Sequence, residues 1–148
     1  MRWLASLLVC LPIAAADADE LHVLPAVHVA YLQYCGGCHG IQGVSAPKTI
    51  PTLKDEAGRF LCTPQGRDYL VRLPNIARAP LSDELLTDLL NFVVFSLGGQ
   101  SVPSGAPHFA VTEVARLRQW PITNQLDVVR QRILSDVQRS CPLRQAGS

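Results

Sequence analysis

One pentapeptide constrains this chain more than anything else in it: Cys35-Gly36-Gly37-Cys38-His39. Two thiols with two residues between them can add to the two vinyl groups of one porphyrin. The histidine that follows is then positioned to give its imidazole to the iron as proximal ligand, and this spacing is the attachment signature of a covalently held haem c. The paired glycines suit a tight loop that brings backbone close to the porphyrin edge. Two rival chemistries use the same thiol spacing. A dithiol redox pair belongs to a strand–helix context, which the surrounding pattern does not offer. A zinc site would need a second CxxC or an HxxxH pair to complete a tetrahedron, and the sequence has neither.

Compartment and charge fit a haem protein. Arg2, the apolar run Trp3 to Ile13 and the small residues Ala14-Ala15-Ala16 read as a signal peptide over residues 1–16, with Ala16 and Ala18 as an alternative cleavage register. The run is too short for a permanent membrane anchor, and Val9 before Cys10 stands where a lipoprotein signal wants a small residue. The mature chain is expected in a bacterial periplasm with no transmembrane segment. Of 13 basic and 12 acidic residues, cleavage removes only Arg2 and leaves a formally neutral chain. A nucleic-acid partner would need a basic surface, so none is expected.

Every periodic stretch reads as helix and none alternates as a strand would, which makes the fold class all-α. After Pro25, residues 26–34 read as a helix running straight into Cys35. Gly40 to Thr52 reads as loop, and Asp55 to Phe60 as a short helical turn. Thr63-Pro64 reads as a cap and first turn of a helix carrying Tyr69, Leu70 and Leu73 to a stop near Pro74. Ser82, followed by Asp83 and Glu84, caps the strongest helix, whose apolar face includes Leu85, Leu86, Leu89, Leu90, Phe92 and Val93 and which ends near Gly98. Beyond a linker at 99–107, helices are expected over Glu113 to Gln119 and about Gln125 to Arg139, the latter with Asn124 as cap and Leu126, Val129, Ile133 and Val137 on one stripe. Only nine residues are aromatic, so burial of a large flat cofactor could supply missing apolar area.

From Tyr31 to Leu97 the chain resembles a class I cytochrome c domain. The likeness rests on a helix ending in CxxCH, Gly40, the loop Ile50-Pro51-Thr52-Leu53 and the last helix introduced by Leu81-Ser82-Asp83-Glu84. It implies a cytochrome c domain over 17–98, first and last helices packed together, and a backbone carbonyl at or near Pro51 holding the other ring nitrogen of His39. A purely stiffening role for Pro47 and Pro51 is the simpler alternative. Residues 108–148 fall outside the likeness and read as a helical extension packing on the core, with a partner-docking helix as the other reading.

The likeness fails at the sixth iron ligand. The family supplies a methionine there, and the one methionine of this chain is Met1. Leu73 lies roughly where that methionine would be. The candidates are an open site shielded by Leu73 and Ile76, His108 returning from beyond the linker, Asn75 in the same loop, and His22 or His28 before the motif. Without methionine the potential should fall relative to a Met/His cytochrome. Cys62 and Cys141 remain as a pair for a disulfide, or as two free thiols. Arg59, Arg67, Arg72 and Arg78 either pair with propionates and carboxylates or form a positive rim for an acidic redox partner.

These readings make the chain a periplasmic mono-haem electron carrier rather than an enzyme, working between a dehydrogenase and a downstream cytochrome or oxidase. A gas-binding or gas-sensing haem protein with an open sixth position is the alternative. Peroxidase-like activity comes third, since no distal acid–base pair can be named.

Overall fold

The structure, a computed structural model, describes residues 24–46 and 49–141. The expected signal peptide, together with Cys10, His22 and Pro47, lies outside the described residues. Within them, all regular structure is helical.

Helix α1 (Ala26–Tyr31) starts at Pro25, whose carbonyl accepts from the N–H groups of His28 and Val29. The chain stays helical through the motif, as a π-helical stretch (Leu32–Gly36) and a last α turn, α2 (Gly37–His39). This corrects the expected tight loop at the two glycines. Gly36 and Gly37 both have right-handed helical angles, and a Cβ on Gly37 would meet nothing within 4 Å. The turn is made instead at Gly40, where φ is +75° and a Cβ would stand 2.2 Å from the Val44 carbonyl oxygen.

A 3-10 turn (Ala57–Cys62) leads to α3 (Pro64–Arg72) and the short α4 (Pro74–Ala77). Thr63 caps α3 as its sequence suggests, its hydroxyl accepting from the Gly66 N–H at 2.9 Å. Ser82 does the same for α5 (Asp83–Asn91), accepting from the Leu85 N–H at 3.2 Å. Helix α5 continues as a second π-helical stretch (Phe92–Leu97). Its end meets the 3-10 turn so closely that a Cβ on Gly98 would lie 2.6 Å from the Gly58 nitrogen. Helices α1 and α5 pack together, with Ala30, Tyr31, Cys35 and Leu89 buried between them. His28 and Tyr31 both stand edge-on to Phe92, at 4.8 and 5.5 Å between ring centres.

The stretch called a linker by composition is fastened to this core. It contains a 3-10 turn (Gly99–Ser101), and the Ser101 hydroxyl accepts from Gly58 and donates to Gly98. Asn91 then pairs with the backbone of Phe109 through both its amide groups. Helix α6 (Val111–Leu117) begins two residues earlier than expected. Its Val114 and Leu117 share one buried cluster with Val71, Leu86, Leu90 and Val94. Helix α7 (Leu126–Ser140) is entered through Gln125 in a left-handed conformation, with no side-chain cap, so Asn124 does not play that part. Its Ile133 and Val137 pack with Tyr69 of α3. The extension therefore completes the hydrophobic core rather than resting on it.

Two arginines tie these segments together. Arg118 donates to the carbonyls of Ala77, Ala79 and Leu81 and to the Asp83 carboxylate, which fixes the turn between α4 and α5. Arg67 grips the Glu113 carboxylate through two nitrogens at 2.6 and 2.8 Å, donates to the carbonyls of Pro107 and His108, and lies 4.0 Å above the Phe109 ring. The hydrogen bonds and charge of Arg67 hold the Glu113 carboxyl below its ordinary range, against the opposing effect of burial. Charge-assisted hydrogen bonds contribute roughly 1.5–3 kcal/mol each, less where partly exposed, so Arg67→Ala is expected to cost about 2–4 kcal/mol in urea unfolding at pH 7. Because the folded pKa of Glu113 is depressed, this stabilisation is present above the unfolded value of about 4.3 and disappears as pH falls through the folded one. Glu113→Gln should accordingly flatten the acid limb of the stability profile.

Candidate functional site

The loop after α2 is built to hold one carbonyl. Gly43, at φ +77°, turns the chain so that its carbonyl accepts from the N–H groups of Leu53 and Lys54 at 2.8 and 3.0 Å. That closure brings Pro51 back to the motif. The Pro51 carbonyl oxygen accepts from His39 Nδ1 at 2.8 Å and from the Ser45 hydroxyl at 2.9 Å. A carbonyl can only accept, so in the neutral ring Nδ1 carries the proton and Nε2 the lone pair. The Tyr31 hydroxyl donates to the Gly40 carbonyl at 2.6 Å and pins the end of the motif to the first helix.

His39 lines a cavity of about 580 Å³, within the range of ligand and cofactor pockets. Tyr34, Cys35 and Cys38 border it beside His39, and the loop adds Ile50 to Leu53. Helix α5 and its π extension present Leu86, Leu89, Leu90, Val93 and Val94. Helices α3 and α4 and Leu73 between them present Tyr69, Leu70, Leu73, Asn75 and Ile76, and α7 adds Arg130, Leu134 and Val137. The walls are mostly apolar, and Cys35, Cys38 and His39 are among the residues that line them.

Cys35 is buried and Cys38 exposed, and neither is in a disulfide. Burial, with a smaller contribution from the neighbouring Cys38, pushes the Cys35 thiol up to about 11. Catalytic CxxC pairs depress a thiol to form thiolate near neutrality, and the Cys35 thiol is shifted the other way. Among the described residues no group of three or more His, Cys, Asp and Glu side chains converges tightly enough to hold a bare metal ion. Two free thiols and one imidazole are the side chains a haem would take, the thiols adding to its two vinyl groups to form thioethers and the imidazole ligating its iron.

The sequence candidates for the sixth ligand separate clearly. Leu73, Asn75 and Ile76 all border the cavity. His108 does not: it stacks on Phe95 at 4.0 Å between ring centres, is exposed, and borders a different depression with Pro25, Val27 and Phe92. The Asn91–Phe109 pairing and the grip of Arg67 on the His108 carbonyl hold that segment away from the cavity. His28 is occupied by its contact with Phe92. Among the described residues that line the cavity, His39 is the one histidine, and no methionine is present.

The four arginines do not form a common rim. Arg59 borders the cavity and pairs with Glu56 at 2.6 Å, Arg67 reaches α6, and Arg72 donates to the Trp120 carbonyl at 2.7 Å. Arg78 is exposed. Cys62 and Cys141 are joined by a disulfide that fastens the end of α7 to the 3-10 turn.

Sequence reasoning missed three contributors. Arg130 and Leu134 were invisible because nothing in an amphipathic stripe says that its flank will close a cavity. Tyr69 was placed on α3 only as part of an apolar face. A tyrosine on the same stripe as Leu70 and Leu73 is itself a signal, since a buried hydroxyl without a partner is costly. Comparison of the chain with protein-family profiles, with curated proteins and with solved structures returned no match in any of the three.

Proposed function

We propose that this chain is a periplasmic mono-haem c-type cytochrome that carries electrons from a dehydrogenase to a downstream cytochrome or oxidase. One observation carries the reading. The Pro51 carbonyl fixes the His39 tautomer with a free Nε2 at the wall of an apolar cavity that both motif thiols also border. A haem held there would supply reversible one-electron chemistry at its iron.

Each residue then has a definite task. Cys35 and Cys38 would hold the haem as thioethers and His39 Nε2 would ligate its iron, while the Pro51 carbonyl, itself held by the Ser45 hydroxyl, keeps the imidazole in place. The aliphatic side chains of α5 that line the cavity would exclude water from a macrocycle bound there. Cys38, Ile41 and Val44 are exposed, so one edge of a group bonded to Cys38 would lie near solvent, where a partner protein could approach. Arg59 and Arg130 border the same cavity and suit the propionate carboxylates. No helix among the described residues is long and apolar enough to cross a membrane.

A second reading, small-ligand binding at the iron, is favoured by the absence of histidine and methionine other than His39 among the described cavity-lining residues. Optical spectra of the haem-loaded chain, with and without carbon monoxide, separate the two. Low-spin bands unmoved by carbon monoxide support the carrier alone. High-spin bands that shift promptly put ligand binding first. A chain that takes up no haem in a host able to attach it rejects both.

A further inference from the structure

The Pro51 carbonyl oxygen is shared by two side-chain donors, His39 Nδ1 at 2.8 Å and the Ser45 hydroxyl at 2.9 Å. The loop does not need the second of these bonds to close. Its closure rests on the Gly43 carbonyl, which accepts from the Leu53 and Lys54 N–H groups, and the Ser45 N–H reaches the Thr52 hydroxyl at 3.3 Å. Ser45 is not among the residues that line the cavity. Its hydroxyl is aimed instead at the one acceptor that holds His39.

We infer that Ser45 is a positioning residue that tunes the iron through this shared carbonyl: its hydroxyl draws electron density from the Pro51 oxygen, weakens the bond from His39 Nδ1 and so raises the reduction potential. The inference rests on the proposed ligation of a haem by His39. A strong acceptor at Nδ1–H gives the imidazole more anionic character and makes Nε2 a better donor, which favours ferric over ferrous iron. Two donors on one oxygen compete, because each hydrogen bond lowers the negative charge left for the other. Removing the Ser45 hydroxyl therefore strengthens the His39 bond and lowers the potential. The direction matters in this cavity, where no methionine is among the described lining residues to raise it.

The test compares the haem-loaded full chain carrying Ser45→Thr with the same chain carrying Ser45→Val. These two side chains have one shape and differ in the hydroxyl, and the valine methyl keeps water from taking the vacated place. The potential is read by redox titration. The Nδ1–H proton resonance of His39 is read by NMR of the reduced, carbon monoxide-saturated chain, which is diamagnetic. Relative to threonine, valine should shift the ratio of reduced to oxidised iron roughly two- to fivefold toward the oxidised form, a fraction of one hydrogen bond and about 20–40 mV at 59 mV per tenfold. Its Nδ1–H resonance should move downfield, as a stronger bond requires. Equal potentials in the two variants would overturn the inference and leave the carrier reading standing. A higher potential in the valine variant with an upfield resonance would also overturn it, since the hydroxyl would then serve only to orient the carbonyl. A wild-type chain that takes up no covalent haem would overturn both the inference and the reading beneath it.

Discussion

Serine at both Cys35 and Cys38 is expected to abolish covalent haem attachment while leaving the helical fold intact. Thioether formation needs sulfur, and a serine hydroxyl does not add to a vinyl group under the same conditions. The two thiols sit one turn apart on a continuous helix, so either alone could still hold one edge of the porphyrin. Single variants should therefore retain a reduced fraction of attached haem, and the double variant none. Denaturing electrophoresis followed by a haem stain reads this directly. Cys35 is buried, and an unpaired hydroxyl there costs about 1–3 kcal/mol by mutational measures. Cys35→Ala combined with Cys38→Ala removes that complication: circular dichroism of this variant should remain helical with no attached haem. Haem still bound covalently in either double variant would show that other groups hold it.

Loss of the Cys62–Cys141 disulfide is the second large effect. The bond closes a segment with a sequence separation of 79, for which the chain-entropy model gives about 4.5 kcal/mol. Its consequence is local as well as global, because it secures the end of α7. That helix carries Ile133 and Val137 onto Tyr69 and presents Arg130 and Leu134 to the cavity. With Cys62→Ser and Cys141→Ser together, urea unfolding should show a loss of about 2–5 kcal/mol. A reductant should produce a similar loss in the wild-type chain and none in the variant. If the reductant leaves the wild-type midpoint unmoved, the bond contributes nothing to stability. The near end of α7 keeps other ties, since the Ile122 N–H donates to the Arg72 carbonyl and Arg72 to the Trp120 carbonyl. The expected outcome is therefore a loosened wall rather than a lost helix.

Much of this architecture could be read from residue order. Caps at Thr63 and Ser82 depend on local chemistry, and both form as the sequence suggests. For Cys62 and Cys141, the thiols left after the motif, the sequence allowed a disulfide or two free thiols, and the disulfide is what forms. Gly36 and Gly37 misled because glycine permits a loop without requiring one, and packing of α1 on α5 carries the helix through them. Helix α7 lacks a capping side chain because Gln125 enters it from a left-handed turn, which no residue type announces. His108 could not be placed from sequence at all. Its position depends on Asn91, Phe95 and Arg67, residues 13 to 41 positions away that carry no signal of mutual contact. The same holds for the arginines, whose clustering in sequence suggested one surface and whose partners lie on three different segments. Long-range contacts of this kind decide which side chains reach the cavity, and only the fold brings them together.

The central claim is that Cys35 and Cys38 hold one haem covalently and that His39 ligates its iron. The most direct measurement is the intact mass of the full chain, produced in a host that attaches haem and read under denaturing conditions. The account predicts a mass raised by one haem above the processed polypeptide, lost in the Cys35 and Cys38 double variant. A mass equal to the polypeptide alone, with Cys35 and Cys38 alkylated by a thiol reagent, would contradict it.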